Sequence, residues 1–410
     1  MTAGTPLSRR GSKLSDTSPM PEYIQAHFDR VDQEYSSASE RYVGLAVAEN
    51  KLVWDLLEPV INDPRDVPAR AAGYDDMVGS EAFRTTLASF ASEHIWGREV
   101  DASQVIALAG AGAVLELLFH VLGDPGDGVL VPTPSYAGFW MDIESRDGMV
   151  VVPVHSRAET GFTLSVADLQ AAYDGADVPV RVLLLTNPVN PTGRILSTDE
   201  IRNAVAWARS VGVHIVINEI YALSTHGDTP FVPTGSVIDD VGDDMHFVWA
   251  FSKDFAMSGF RCGVMTSQNE DVRAAVSALA YWACVSGDTQ HLLDTMLQDT
   301  EWLAGYLTGM RSRLRESYTR TTAALSAAGI PYIPADAALF LLCDFRQYLS
   351  EPTWDAEDAL WRRILDEANV NLTPGSACHI AEPGFLRLCF AQEPPDVVEA
   401  AIARIARTLR

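Results

Sequence analysis

Lysine is almost absent from this chain. Of its thirty basic residues only Lys13, Lys51 and Lys253 are lysines, and arginine carries the rest. Lys13 sits in a polar stretch, and Lys51 near the start of the apolar pattern. Cysteine is sparse too: Cys262, Cys284, Cys343, Cys378 and Cys389 are odd in number and show no CxxC spacing. That excludes a disulfide framework and a zinc ribbon, leaves no metal site to expect, and fits a reducing compartment. No apolar run reaches membrane-spanning length. Arg9-Arg10 is a weak twin-arginine lure with no apolar segment behind it, so a cytoplasmic chain is expected. Positive charge is in deficit, at a net −25, which opposes nucleic acid and anionic membranes as partners.

What is present is an ordinary globular composition, 47% hydrophobic and 21% charged. Residues 1–20 are rich in Ser, Thr, Gly and Pro and read as a disordered tail. A polar helix is expected over 22–42. Strand patterns at 104–108, 129–132, 149–154, 181–186, 214–217 and 246–251 alternate with helical ones at 81–96, from 111, and from a Ser197/Glu200 capping box to 210. The continuous apolar run at 181–186 suits a parallel strand covered on both faces. Residues 272–328 read as helical. Strand-like 338–343 and 385–390 flank a helix at 356–368. The fold class is α/β: a large doubly wound, mostly parallel sheet domain plus a smaller α+β domain. The expected division is a tail (1–20), a segment joining the small domain (21–60), a large domain (61–310) and a small domain (311–410).

Three polar sets fall at the C-terminal ends of successive strands, where open α/β sheets bind ligands. They are Asn187 to Gly193, Asn218 to Tyr221, and Ser252 to Arg261. The last contains Lys253, a lone amine at the end of a buried-looking strand, which suits a Schiff-base lysine. Arg261 offers a bidentate clamp for a phosphate. Earlier, Ala109-Gly110-Ala111-Gly112 opens a helix whose small residues let an anion approach backbone amides. The same stretch also reads as a plain strand–helix turn. Arg387, inside the apolar run Phe385-Leu386-Arg387-Leu388, needs an anion if it is buried.

These residues resemble the fold-type I pyridoxal-phosphate enzymes of the class I/II aminotransferase family, whose fold is that of aspartate aminotransferase. Within them the chain looks most like the 1-aminocyclopropane-1-carboxylate (ACC) synthase branch, from about residue 40 to 407. The likeness rests on Ala48-Glu49-Asn50-Lys51-Leu52, Asp124-Pro125-Gly126-Asp127, Val131-Pro132-Thr133-Pro134-Ser135-Tyr136 and Ser252-Lys253-Asp254. Thr289-Gln290-His291-Leu292-Leu293 and Pro374-Gly375-Ser376 with His379 extend it. The resemblance implies that Lys253 binds pyridoxal 5'-phosphate and later moves the substrate's Cα proton. Tyr136 would stack on the pyridine ring, and Asn190 and Tyr221 would bond its 3-oxygen. Ala111 and Gly112 amides, Ser252 and Arg261 would hold the phosphate. Tyr74 would reach that phosphate from a second subunit, which makes a homodimer with shared sites. Arg387 would grip the substrate carboxylate, and Glu49 would contact substrate. For Tyr136 and Tyr221 a core tyrosine is the plain alternative; for Glu49 it is a solvated carboxylate.

The sequence departs from the resemblance at Asn218, where the family has an aspartate that keeps the ring nitrogen protonated. A charged hydrogen bond of that kind is worth about 1.5–3 kcal/mol. Its loss should lower the nitrogen's pKa and slow Cα deprotonation. Gly112 and Ala250 stand where hydroxyl residues often touch the phosphate. Met77-Val78 replaces the Tyr-His usual before Gly79 in plant ACC synthases. The expected function is an enzyme acting on S-adenosylmethionine by Cα deprotonation and loss of methylthioadenosine from Cγ. The outcome is cyclisation, or γ-replacement or annulation by a second substrate that traps a vinylglycine-type intermediate. The alternatives are an amino-acid aminotransferase and a cofactor-binding variant inactivated at Asn218.

Overall fold

A computed structural model describes residues 7–16, 20–35, 37 and 41–410. Its main layer is a seven-stranded sheet in the order Val105–Leu108, Gly263–Ser267, Met245–Ala250, His214–Asn218, Val180–Thr186, Gly128–Thr133, Val150–His155. Every pairing is parallel except those of Gly263–Ser267, which runs antiparallel to both neighbours. The central strands explain their own placement. Leu183, Leu184 and Leu185, with Ile215, Val216 and Ile217, are fully or almost fully buried, because helices cover both faces.

Two helices show how local sequence sets the frame. Thr198–Val211 opens on the expected capping box, with Ser197 Oγ accepting from Glu200 N at 3.2 Å and Glu200 Oε2 accepting from Ser197 N at 3.0 Å. Ala111–Leu122 opens directly on Gly110, whose φ of +94° favours glycine.

A second, four-stranded antiparallel sheet orders Thr373–Pro374, Phe385–Cys389, Phe340–Asp344 and Tyr332–Ile333. Beside it Val43–Gly44 pairs in parallel with Val370–Asn371. The N-terminal segment is thus hydrogen-bonded to the C-terminal part of the chain.

Several expectations change. The helix expected over 22–42 is Glu22–Val31, and residues 36 and 38–40 lie outside the described ones. Within the expected disordered tail, Arg9–Ser15 is a helix capped by Ser8, with none of its residues buried; residues 1–6 and 17–19 lie outside the described ones. The helical stretch 272–328 is broken into Glu270–Leu279, Gly287–Gln298 and Thr300–Ala328. Ser286 and Asp299 cap the second and third, accepting from Thr289 N and Trp302 N. Phe251 ends no strand: it opens the short helix Phe251–Asp254 that carries Lys253. Among the described residues no helix is long and apolar enough to cross a membrane, and no cluster of His, Cys, Asp or Glu is suited to a metal.

Candidate active site

The three polar sets do converge. The strands Val180–Thr186, His214–Asn218 and Met245–Ala250 are neighbours in the sheet, so their C-terminal ends open on one cavity of about 520 Å³. Asn190, Asn218, Tyr221, Ser252, Lys253 and Arg261 line it from those ends. Ala111 and Gly112 line it from the helix after Val105–Leu108, Tyr136 from the segment after Gly128–Thr133 on the other side, and Arg387 from the four-stranded sheet.

Lys253 Nζ donates to the Ala48 carbonyl at 2.7 Å. Burial lowers its pKa to about 8; Glu49 opposes that shift, while Arg387 and Arg261 add to it. An amine with that pKa is substantially neutral near pH 8, as a nucleophile toward an aldehyde must be. Its turn is held from below by Asp254. That carboxylate accepts from Ser224 Oγ at 2.6 Å, Trp249 Nε1 at 2.8 Å and Leu223 N at 3.1 Å. The Lys253 turn is thereby tied to the segment carrying Tyr221.

Arg387 is the electrostatic centre of the opposite wall. It is only 3% exposed. Nη1 donates to Asn190 Oδ1 at 3.0 Å, and Nη2 to Ala46 O at 2.5 Å and Thr373 Oγ1 at 3.0 Å, while Nε has no partner. All three acceptors are neutral. A buried guanidinium with no carboxylate beside it is a standing demand for an anion.

Arg261 holds a left-handed φ of 53° and donates to Ser258 O at 2.9 Å and Ala109 O at 3.3 Å. This places its guanidinium against Gly110, where any Cβ would collide with it. Gly263 is equally required, since a Cβ there would strike the Gly110 backbone. The result is a cradle of helix N-terminal amides and a guanidinium, with no side chain at Gly112 to fill it. Tyr136 is 43% exposed and packs edge-on against Phe139, with ring centroids 5.4 Å apart. Asn218 is buried, and its Oδ1 has no hydrogen-bond partner. Tyr221 is buried against Phe340, and desolvation raises its pKa.

Pyridoxal phosphate suits this donor set. Arg261 and the helix amides would meet the phosphate, the Lys253 amine the aldehyde, and the orphaned Asn218 Oδ1 the ring nitrogen, with Arg387 left for a substrate carboxylate. The residues present fit the group.

Two expected site residues lie elsewhere. Glu49 does not line the cavity; its Oε1 accepts from Ser258 Oγ at 3.0 Å, in an adjoining hollow with Lys51 and Trp54. Tyr74 is 97% exposed and lines a separate surface hollow with Met77, Gln290 and His291. Sequence reasoning also missed participants. The Ala46 and Ala48 carbonyls carry no side-chain signal, and Thr373 sits in a two-residue strand too short to show in the sequence pattern. Tyr23 and Asp142 both line the cavity. Asp142 was visible as a lone carboxylate between Met141 and Ile143.

Comparison with known proteins agrees. The chain is 34% identical over 385 residues to 1-aminocyclopropane-1-carboxylate synthase 9 of Arabidopsis thaliana, covering 88% of this chain and 82% of that protein. It is 35% identical over 389 residues to 1-aminocyclopropane-1-carboxylate synthase 3 of Oryza sativa subsp. japonica, covering 88% and 86%. In fold it matches aspartate aminotransferase from Thermus thermophilus with maleate. The TM-score is 0.83 at 21% identity, over 99% of this chain and 100% of that one. The family model "Aminotransferase class I and II" matches residues 56–405. The chain belongs to the class I and II aminotransferase family, as a pyridoxal-phosphate-dependent enzyme of ACC synthase-like type.

Proposed function

We propose that this enzyme acts on S-adenosylmethionine, removing the Cα proton and expelling methylthioadenosine from Cγ. The observation that carries the reading is Arg387, a buried cation without a countercharge in the same cavity as Lys253. An α-amino acid supplies the missing carboxylate. The similarity to ACC synthases then points to an amino acid with a sulfonium leaving group.

In this mechanism Arg387 fixes the α-carboxylate, with Asn190 and Thr373 fixing Arg387 in turn. The Ala111 and Gly112 amides, Ser252 and Arg261 would hold the cofactor phosphate. Tyr136 covers one face of the ring, and Asn190 and Tyr221 hold its 3-oxygen. The bound cofactor withdraws electrons from Cα. Lys253 would take the substrate's Cα proton. Asn218 meets the ring nitrogen as a neutral amide, which reduces that withdrawal. Glu49, in the adjoining hollow rather than in the cavity itself, is close enough to Lys253 to favour its charged form, and its carboxylate would draw a sulfonium toward that hollow. Closure of Cα on Cγ gives the ACC-type product. Loss of a Cβ proton and attack by a second substrate gives γ-replacement or annulation. Met77, which stands where ACC synthases carry a tyrosine, favours the second outcome. Exposed Tyr74 is assigned to a homodimer in which Tyr74 of the partner subunit completes the phosphate site.

Release of methylthioadenosine on addition of S-adenosylmethionine tests the proposal. Amino-group exchange with a keto acid, without that release, overturns it. That result is the second reading, an aminotransferase, favoured by the fold match to aspartate aminotransferase. Retention of cofactor with neither reaction, cured by Asn218→Asp, is the third, a variant inactivated at Asn218.

A further inference from the structure

The cavity contains a carboxylate that the mechanism above does not use. Asp142 lies on the helix Gly138–Glu144 and lines the cavity beside Ala111, Gly112, Ser252 and Arg261. Its Oδ1 stands 3.6 Å from where a Cβ on Gly112 would be, and among the described residues no other group outside the local helix comes within 4 Å of that point. The space left open by the missing side chain at 112 is therefore faced by Asp142. Burial raises the carboxyl pKa to about 7, and Glu116 adds to the shift, with no cation offsetting it.

We propose that Asp142, in its acid form, donates a hydrogen bond to the cofactor phosphate, supplying the side-chain donor that Gly112 lacks. This rests on the reading that places the phosphate at Ala111, Gly112 and Arg261. Two anions cannot share such a site fully ionised; one keeps a proton. A half-buried carboxyl already hard to ionise is the group that keeps it, and a phosphate next to it acts in the same direction. An ionised Asp142 would instead repel the phosphate.

A pH dependence follows, and the groups around Asp142 fix its design. Glu116, on the helix Ala111–Leu122, is paired with Arg146 at 2.9 Å, and behind it His120 meets Asp147 at 2.8 Å. Tyr136 precedes the Asp142 helix, while Lys253 and Arg261 face it across the cavity. Lys253 titrates in the same range, so the probe must not condense with it. Pyridoxamine 5'-phosphate meets that condition. Pyridoxamine without phosphate is its control, because the two share the ring and amine titrations.

The experiment measures both dissociation constants on the full chain stripped of cofactor, from pH 6 to 9.5. In wild type the preference for the phosphorylated ligand should fall about tenfold per pH unit above about 7, as Asp142 loses its proton. Asp142→Asn keeps a donor and should abolish the fall that begins near pH 7, leaving only the change that Lys253 contributes around its own pKa of about 8. Glu116→Gln removes the neighbouring charge and should move the break to lower pH, which keeps the test open if Asp142→Asn does not fold. Wild-type pH behaviour in both folded variants would overturn the proposal. Arg261→Ala separates the two levels. It should abolish the phosphate preference at every pH, and if it does not, the placement of the phosphate itself is wrong.

Discussion

Replacing Arg387 by methionine tests whether the arginine is there for substrate or for the fold. On the structural side two costs oppose each other. Asn190 Oδ1 and Thr373 Oγ1 lose a donor, at about 1–3 kcal/mol each where they stay unpaired, while Ala46 O keeps the Thr373 hydroxyl at 2.8 Å. Against that, removing an uncompensated buried charge relieves several kcal/mol, and apolar replacement of buried ions is often neutral or stabilising. The apoprotein should therefore keep its melting temperature to within about 5 °C. Binding has no such cancellation. Losing one partner of a buried, hydrogen-bonded charge pair costs about 2–5 kcal/mol, or about 30- to 5000-fold in affinity. The assay is a cycle: wild type and Arg387→Met, each titrated with S-adenosylmethionine and with its α-carboxamide. Wild type should prefer the carboxylate strongly, and the variant should bind both nearly alike. If the variant weakens both ligands by one common factor, Arg387 does not read the carboxylate, and the reasoning fails.

Other consequences can be checked alongside. Because burial holds Lys253 near pKa 8, capture of pyridoxal phosphate by the apoprotein should quicken about tenfold per pH unit below 8 and level off above it. Borohydride should then fix the cofactor in wild type and leave none fixed in Lys253→Ala. Asn218→Asp should tighten cofactor binding about five- to tenfold, the value of a charged over a neutral hydrogen bond; unchanged affinity would place the ring nitrogen elsewhere. Mixing inactive Lys253→Ala with inactive Tyr74→Ala should restore up to about a quarter of wild-type activity if sites are shared across a dimer. No recovery after verified subunit exchange would remove Tyr74 from the site. Burial depresses His246 to about 3 and His226 to about 4. At these two positions the unfolded chain binds more protons below about pH 6.5, so a double variant lacking both imidazoles should lose less stability than wild type as pH falls from 6.5 toward 4. The same change in melting temperature over that range in both proteins would contradict it.

The parts of this fold that were legible were those with a strong local signature. The Val180–Thr186 strand is an unbroken apolar run, and the helix after it carries both halves of a capping box. Lys253 stood out because lysine is so rare. Gly263–Ser267 was not read, since five residues of mixed character just after Arg261 resemble loop, and only pairing on both sides makes them a strand. The breaks at Gly287 and Thr300 were hidden because apolar positions continue across them, and the caps at Ser286 and Asp299 are brief polar signals. Arg9–Ser15 ran the other way, as a Ser8 cap gave helix where composition suggested none. For the site, side-chain chemistry was readable and backbone chemistry was not.

That asymmetry falls on one segment. Ala46 O receives Arg387, Ala48 O receives Lys253, and Glu49 receives Ser258. Within four residues, the N-terminal chain thus meets both cations that the mechanism needs and the loop that carries Arg261. It is anchored at each side of this contact. Val43–Gly44 lies in a parallel ladder with Val370–Asn371, and Lys51 N donates to Ala391 O at 2.8 Å. Carbonyls are neutral acceptors, so they hold a guanidinium and an amine in place without satisfying their charge. An ionised side chain at position 46 or 48 would pair with the cation and compete with the ligand's own anion. Alanine at both positions keeps the hydrogen bonds and leaves the electrostatic demand open for a substrate.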